Sequence, residues 1–236
     1  MQIDPNNDPY SESVAITGNN GLCSGALITP DIVVTAGHCY CDGINQNVIF
    51  GTTLLPGAGQ KIIPVDASGS GPLIPCDKLT TDIRLGDIAV LKLQQSAPVT
   101  PRQIINLPDL DAAASVRAVG FGRTSTGVVG VKYQVDIVIA STQCNGIGPM
   151  GIQDAQIYQC KKTYELVAAG LNRDTCNGDS GGAIYVFGRD AKLYLAGTTS
   201  RSVHPNGTCG PGGIYVVLSD PAIRPWLEKK GATFEQ

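Results

Sequence analysis

Twenty-nine glycines and fifteen prolines punctuate a chain of 236 residues, and no other feature restricts its folding as strongly. Glycine opens backbone conformations that other residues avoid, and proline removes an amide donor, so both favour turns and interrupt helices. The ordered elements between them must be short. Val/Ile/Leu-rich segments do recur at short intervals, at 13–17, 25–28, 32–36, 48–50, 61–65 and 88–93, and again at 116–120, 133–139, 183–186, 194–199 and 213–217. Each is bounded by Gly, Pro, Asn or Asp, which is the pattern of β-strands separated by tight turns. The stretch 97–115 carries Pro98, Pro101 and Pro108 and reads as a linker between two groups of about six strands.

An all-β architecture of two antiparallel six-stranded barrels follows, the first spanning 9–100 and the second 116–218. Asp220-Pro-Ala-Ile-Arg-Pro-Trp226 offers an N-cap and a proline at the first helical position, with Gly231 as a stop, so a short helix is expected over 220–231. Apolar residues at 42% against charged residues at 16% exclude a disordered chain. A net charge of −3, without a basic cluster beyond Lys161-Lys162 and Lys229-Lys230, gives nucleic acid no electrostatic footprint. Runs such as Asp31-Ile-Val-Val-Thr35 are far too short to cross a bilayer.

Eight cysteines, without a C-x-x-C pair and with only two histidines, favour a disulfide framework over a zinc site. That framework implies an oxidising compartment: secreted, periplasmic or otherwise extracellular. The opening Met-Gln-Ile-Asp-Pro is polar and turn-prone and is not a signal peptide.

Chemistry concentrates in three places. His38 lies in Thr35-Ala-Gly-His-Cys39, directly after an apolar run, and histidine is the side chain best suited to general-base work near neutral pH. His204, in a Pro/Asn/Gly loop, reads as a surface residue. Ser180 lies in Asn177-Gly-Asp-Ser-Gly-Gly182, where flanking glycines permit a tight turn with an exposed hydroxyl. The amides of Gly178 and Ser180 could converge there on a developing oxyanion. Asp87, in Gly86-Asp-Ile-Ala-Val-Leu91, leads straight into a buried strand and could orient an imidazole.

Taken together and in the order His, Asp, Ser, these motifs resemble the chymotrypsin/trypsin family of serine endopeptidases, and the resemblance runs from Asp8-Pro-Tyr10 to the segment containing Trp226. The order separates the chain from subtilisins and α/β-hydrolases. The resemblance implies Ser180 as nucleophile, His38 as base and then acid, and Asp87 as the group fixing the imidazole tautomer. It implies an oxyanion hole at Gly178 and Ser180, and Ser200 as the hydroxyl bonded to the buried aspartate. Asp174 matches the base of the primary pocket, where a carboxylate favours Arg or Lys of the substrate, and Gly213 matches a glycine that keeps the pocket wide. Arg201-Ser202 departs from the family's aromatic-glycine pair. Ser202 is expected to narrow the entrance, and Arg201 to favour acidic residues further along the substrate.

The resemblance also implies disulfides Cys23–Cys39, Cys176–Cys209 and, less closely, Cys144–Cys160, because the family's cysteine at the last position is replaced by Ala168. Cys41 and Cys76 are left to each other. The family's Ile-Val-Gly-Gly-like amino terminus, which pairs with the aspartate before the serine, is missing, so Asp179 must find another partner or belong to a form not yet competent. Gly120-Phe-Gly-Arg-Thr-Ser125 lacks the Lys-Ser/Thr of a phosphate loop. Asn206-Gly-Thr208 fits a glycosylation sequon but reads as a bare turn. Gly57–Gln60 and Ser68–Gly71 lack paired glutamates, so no metal and no cofactor are expected. The expected activity is endopeptidase cleavage after Arg or Lys through an acyl-enzyme. Its partners are peptide or protein substrates, protein inhibitors or an activating partner, and neither nucleic acid nor a membrane. The competing readings are a partner-regulated or unactivated protease and a catalytically silent binding module.

Overall fold

The computed structural model describes residues 1–144, 158–170, 173–204 and 209–236. The strands close into two barrels, as the turn spacing predicts. The first has the order β1-β2-β3-β6-β5-β4, from β1 (Ser13–Gly18), β2 (Gly21–Thr29), β3 (Ile32–Thr35), β4 (Asn47–Phe50), β5 (Lys61–Pro72) and β6 (Ala89–Leu93). The second has the order β10-β11-β12-β9-β8-β7, from β7 (Ser115–Gly120), β8 (Tyr133–Ser141), β9 (Glu165–Ala169), β10 (Ala183–Phe187), β11 (Leu193–Ser202) and β12 (Gly212–Val217). All pairings within the two barrels are antiparallel. Short helices α1 (Gly37–Cys41), α2 (Cys76–Leu79), α3 (Leu107–Asp111) and α4 (Arg224–Lys229) lie outside them.

Successive strand residues point to opposite faces, so a strand with apolar residues on both must be covered on both. Val33, Leu91 and Leu93 enter the first barrel's interior with Val14, Ile16 and Leu27. Their neighbours Ile32, Val34, Ile88 and Val90 pack instead against the second barrel. The second barrel repeats the arrangement: Ile184, Tyr215 and Val217 fill its interior, while Ala183, Tyr185, Val216 and Leu218 join the shared core. The unbroken apolar runs in the sequence therefore reflect strands sandwiched between a barrel interior and a barrel–barrel interface. Each fully buried large side chain contributes about 1.5–3 kcal/mol.

Two elements differ from the sequence expectation. β9 was not among the expected strands, because Glu165 heads a short segment and masks its apolar character. The terminal helix begins at Arg224 rather than beside Pro221. The Asp220 carboxylate accepts the Ala222 amide in a turn that precedes it, and Gly231, at φ +89°, follows it.

The amino-terminal arm crosses to the second barrel. Gln2 pairs with Tyr133 in an isolated bridge, and the Ile3 amide donates to the Lys132 carbonyl at 3.0 Å. Lys132 is wholly buried, donating to the Asp8 carboxylate at 2.7 Å and the Tyr10 carbonyl at 2.8 Å. Burial drives its pKa down against the pull of Asp8. Four disulfides close, Cys23–Cys39, Cys41–Cys76, Cys144–Cys160 and Cys176–Cys209. Among the described residues no helix is long and apolar enough to cross a membrane. The sequon at 206–208 lies outside the described residues.

Candidate active site

The first barrel supplies an imidazole and a carboxylate. α1 follows β3 without a linker, and Gly37 is glycine for a local reason: a Cβ there would lie 2.6 Å from Leu79 and 3.1 Å from the Ile88 amide. That close approach brings the start of β6 against the one-turn helix. Asp87 is fully buried and accepts three hydrogen bonds, from the His38 amide at 2.8 Å, from His38 Nδ1 at 2.8 Å and from the Ser200 hydroxyl at 2.6 Å. Asp87 cannot donate, so Nδ1 carries the proton and Nε2 is left as the basic nitrogen. Burial opposes charge on the ring, but the Asp87 hydrogen bond and charge, together with Asp42, outweigh it. The His38 pKa is raised, with Arg201 pulling the other way.

Ser200 reaches Asp87 from the second barrel because β11 is irregular. Pairing with β12 shifts register between Thr199 and Arg201, which leaves Ser200 out of the ladder and free to turn across the interface. Ser180 comes from the same barrel on a turn. The Asp179 amide donates to the Cys176 carbonyl at 2.9 Å and the Gly182 amide to the Asp179 carbonyl at 2.7 Å. The Ser24 amide donates to the Ser180 carbonyl at 2.8 Å, and the Ser24 hydroxyl to the Gly178 carbonyl at 3.0 Å. These bonds seat the serine turn on β2, beside the end of β3 that leads into α1. Among the described residues no hydrogen bond joins the Ser180 hydroxyl to the His38 ring, and the amides of Gly178 and Ser180 donate to none of those residues.

Gly181 is required sterically. It sits at φ +76°, and a Cβ would lie 2.1 Å from Thr35 Oγ1, 2.5 Å from the Ser24 carbonyl and 2.6 Å from the Ala36 amide. Gly181→Ala is expected to destabilise the fold by about 2–4 kcal/mol, from a strained backbone plus overpacking against main chain. Urea unfolding measures this; a loss below about 1 kcal/mol would contradict the fit described.

Asp174 does not line the cavity beside Ser180. Its carboxylate accepts the amides of Thr175 at 2.7 Å and of Gly210 and Gly212 at 3.1 Å each. Burial pushes its pKa up against those three bonds. The cavity of about 210 Å³ beside Ser180 is lined instead by Thr175, Cys176, Asn177, Thr199, Ser200, Arg201, Ser202 and Cys209. A side chain at Gly213 would meet the Tyr215 hydroxyl at 2.6 Å, so that glycine makes room for a buried tyrosine. Ser202 lines this cavity and also a larger one of about 600 Å³, walled by His38, Asp82, Arg84, Tyr158 and His204. Arg201 is not free for acidic substrate residues. Its guanidinium forks onto Glu165, with Nη1–Oε1 at 2.7 Å and Nη2–Oε2 at 2.8 Å. Sequence reasoning missed Glu165, whose only signal was a charged residue leading an apolar stretch.

Asp179 accepts the Gly122 amide at 2.7 Å and the Cys176 amide at 2.9 Å. Burial pushes its pKa up to about 6, and Asp174 adds to the rise. A Cβ at Gly120 or Gly122 would lie 2.1 Å or 2.5 Å from this carboxyl group, which explains both glycines of Gly120-Phe-Gly122. The carboxylate borders a cavity of about 450 Å³ shared with Met1, Arg123, Tyr133 and Asp174. The terminal ammonium of Met1 donates to the Gln134 carbonyl at 2.6 Å. Among the described residues Cys23, His38 and Cys39 are the one group close enough to share a metal ion. Their sulfurs are joined to each other, and Asp87 holds Nδ1.

The trypsin family model matches residues 1–227. Proproteinase E of Bos taurus is 33% identical over 75% of this chain and 71% of its own length. Snake venom serine protease 1 of Craspedocephalus gramineus is 28% identical over 91% and 81%, and tonin of Rattus norvegicus is 27% identical over 97% and 86%. With two closed six-stranded barrels and a family model that spans nearly the whole chain, the chain belongs to the trypsin family of serine proteases.

Proposed function

We propose that the chain is an endopeptidase in which Ser180 attacks the peptide carbonyl, His38 takes the hydroxyl proton and returns it to the leaving amine, and Asp87 holds the imidazole in the required tautomer. The carrying observation is the Asp87 carboxylate, fully buried and held by two donors from His38 and one from Ser200. A carboxylate so held stabilises the imidazolium formed when Ser180 is deprotonated. The Gly178 and Ser180 amides would receive the oxyanion; one such donor is worth about 3 kcal/mol in comparable sites. The acyl group transfers to Ser180 with release of the amine, and water then releases the acid.

Cleavage after Arg or Lys is the selectivity that Asp174 supports, on the condition that its carboxylate turns from the Gly210 and Gly212 amides toward the cavity beside Ser180. That condition favours a second reading, a protease completed by an activating partner or processing event. Among the described residues Asp179 is held by amide donors and has no cationic partner. Secretion to an oxidising compartment accords with the four disulfides.

Stoichiometric titration with a fluorophosphonate, alongside hydrolysis of Arg, Lys and Phe reporter amides, tests both readings, with Ser180→Ala as control. Full labelling of the native chain and turnover on Arg or Lys are expected of a competent enzyme. Labelling that appears only after processing or partner addition identifies the second reading. Turnover on Phe alone removes Asp174 as the selectivity determinant, and neither labelling nor turnover under any condition leaves a binding module.

A further inference from the structure

Beyond the triad, a chain of polar contacts continues through Ser200 to a partly buried ion pair. Arg201 Nη1 donates to Ser200 Oγ at 3.2 Å while both guanidinium ends hold Glu165. Glu165 is fully buried and also accepts the Lys161 amide at 2.6 Å, and Arg201 Nη2 reaches the Gln159 carbonyl at 3.2 Å. Neither residue touches Ser180 or a candidate oxyanion donor, and the mechanism above uses neither.

Hydrogen-bond polarity gives the pair a role. A guanidinium only donates, and a hydroxyl has one proton. With Arg201 donating to Ser200 Oγ, the hydroxyl proton of Ser200 is committed to Asp87 Oδ2, and the alternative rotamer that would leave Asp87 short of a donor is closed. A cation in line with Asp87 also offsets part of the carboxylate's pull on the imidazole. A buried glutamate without a cation would be costly, and the partly buried Arg201 supplies that cation while Glu165 keeps its own charge away from the reacting groups.

Resting on the reading of His38, Asp87 and Ser180 as the catalytic centre, we propose that Arg201 and Glu165 are a positioning pair: they set the direction of the Ser200–Asp87 hydrogen bond and thereby the basicity of His38. Three charged groups face that ring: Asp87 from the start of β6, Asp42 from the end of its own helix, and Arg201 from β11. The cavity beyond adds His204 and the Asp82–Arg84 ion pair.

The direct test is the titration of the His38 ring by NMR in the full chain, with His204→Gln assigning the two histidines. Arg201→Met removes the cation and leaves the anion, so the His38 pKa is expected to rise by about half a unit or more. Glu165→Gln leaves the cation uncompensated, and the pKa is expected to fall by a similar amount. Glu165→Gln/Arg201→Met restores neutrality with apolar filling and returns it to within a few tenths. Arg201→Lys keeps the charge and guards against a misfolded Met variant. On an active chain, the acid limb of kcat/KM moves with the ring, and Arg201→Met lowers kcat about tenfold with KM little changed. Identical ring titrations in all variants, or shifts of one sign in both single variants, overturn the proposal and leave the pair structural. If no variant cleaves any substrate but the ring titrations shift in opposite directions, the peptidase reading fails while the coupling stands.

Discussion

Asp87→Asn is expected to lower kcat about 10⁴-fold, the size of loss seen when this constellation loses its carboxylate, with little loss of folded protein. Asn is nearly isosteric: with its oxygen in the Oδ1 place it still accepts the His38 amide, and its NH2 in the Oδ2 place can donate to Ser200 Oγ. Its amide group, however, would face Nδ1 as a donor and turn the imidazole to the tautomer whose Nε2 carries the proton. That nitrogen can then no longer accept the Ser180 proton. Reporter hydrolysis at pH 8, with circular dichroism and thermal melts as the fold control, measures the effect. A loss below about tenfold would mean that the buried carboxylate does not set the tautomer. Comparable loss of activity and of melting temperature would assign Asp87 to the fold rather than to the reaction.

Stability is expected to fall as pH rises from about 4 to 6, and more steeply in the native chain than in Asp179→Asn. The sign follows from Asp179, whose pKa is pushed up to about 6 by burial from an ordinary value of 3.8. Between those values the folded chain keeps a proton that the unfolded chain has released, so each step up in pH favours unfolding. The penalty is absent below 3.8 and complete above 6. Two units correspond to about 3 kcal/mol, or a difference in Tm of about 6–12 °C for a chain of this length. His38, whose pKa is raised from 6.5, titrates above this range and is common to both proteins. The loss of one amide acceptor in Asp179→Asn adds a constant offset and leaves the slope to be read. A cationic group that pairs with Asp179 should remove the penalty, raising Tm at pH 8 but not at pH 4. Parallel stability profiles for the two proteins would show that the carboxyl group is not held protonated, and would remove the reason to look for an activating cation at this cavity.

The two-barrel fold was legible because its strands are apolar on both faces and end at glycines and prolines; Val33 and Val34 belong to different cores, yet both are simply apolar in sequence. β9 escaped because Glu165 leads a short segment, and the last helix begins late because Asp220 caps a turn first. The three motifs were readable as candidates because each joins a chemically committed side chain to local turn chemistry that few other roles require. Gly120 and Gly122 were visible only as glycines, and their purpose is to admit Asp179 from 57 residues away.

Local chemistry and periodicity along the chain thus determined which residues could react and which segments had to pair. Tertiary structure alone decided what each charge faces. It turned Asp174 onto backbone amides, buried Lys132 on Asp8, and set Arg201 against Glu165 across 36 residues of sequence. The physical reason is that a charged side chain's role depends on its desolvation and on the partner that compensates it, and both are supplied by segments remote in sequence.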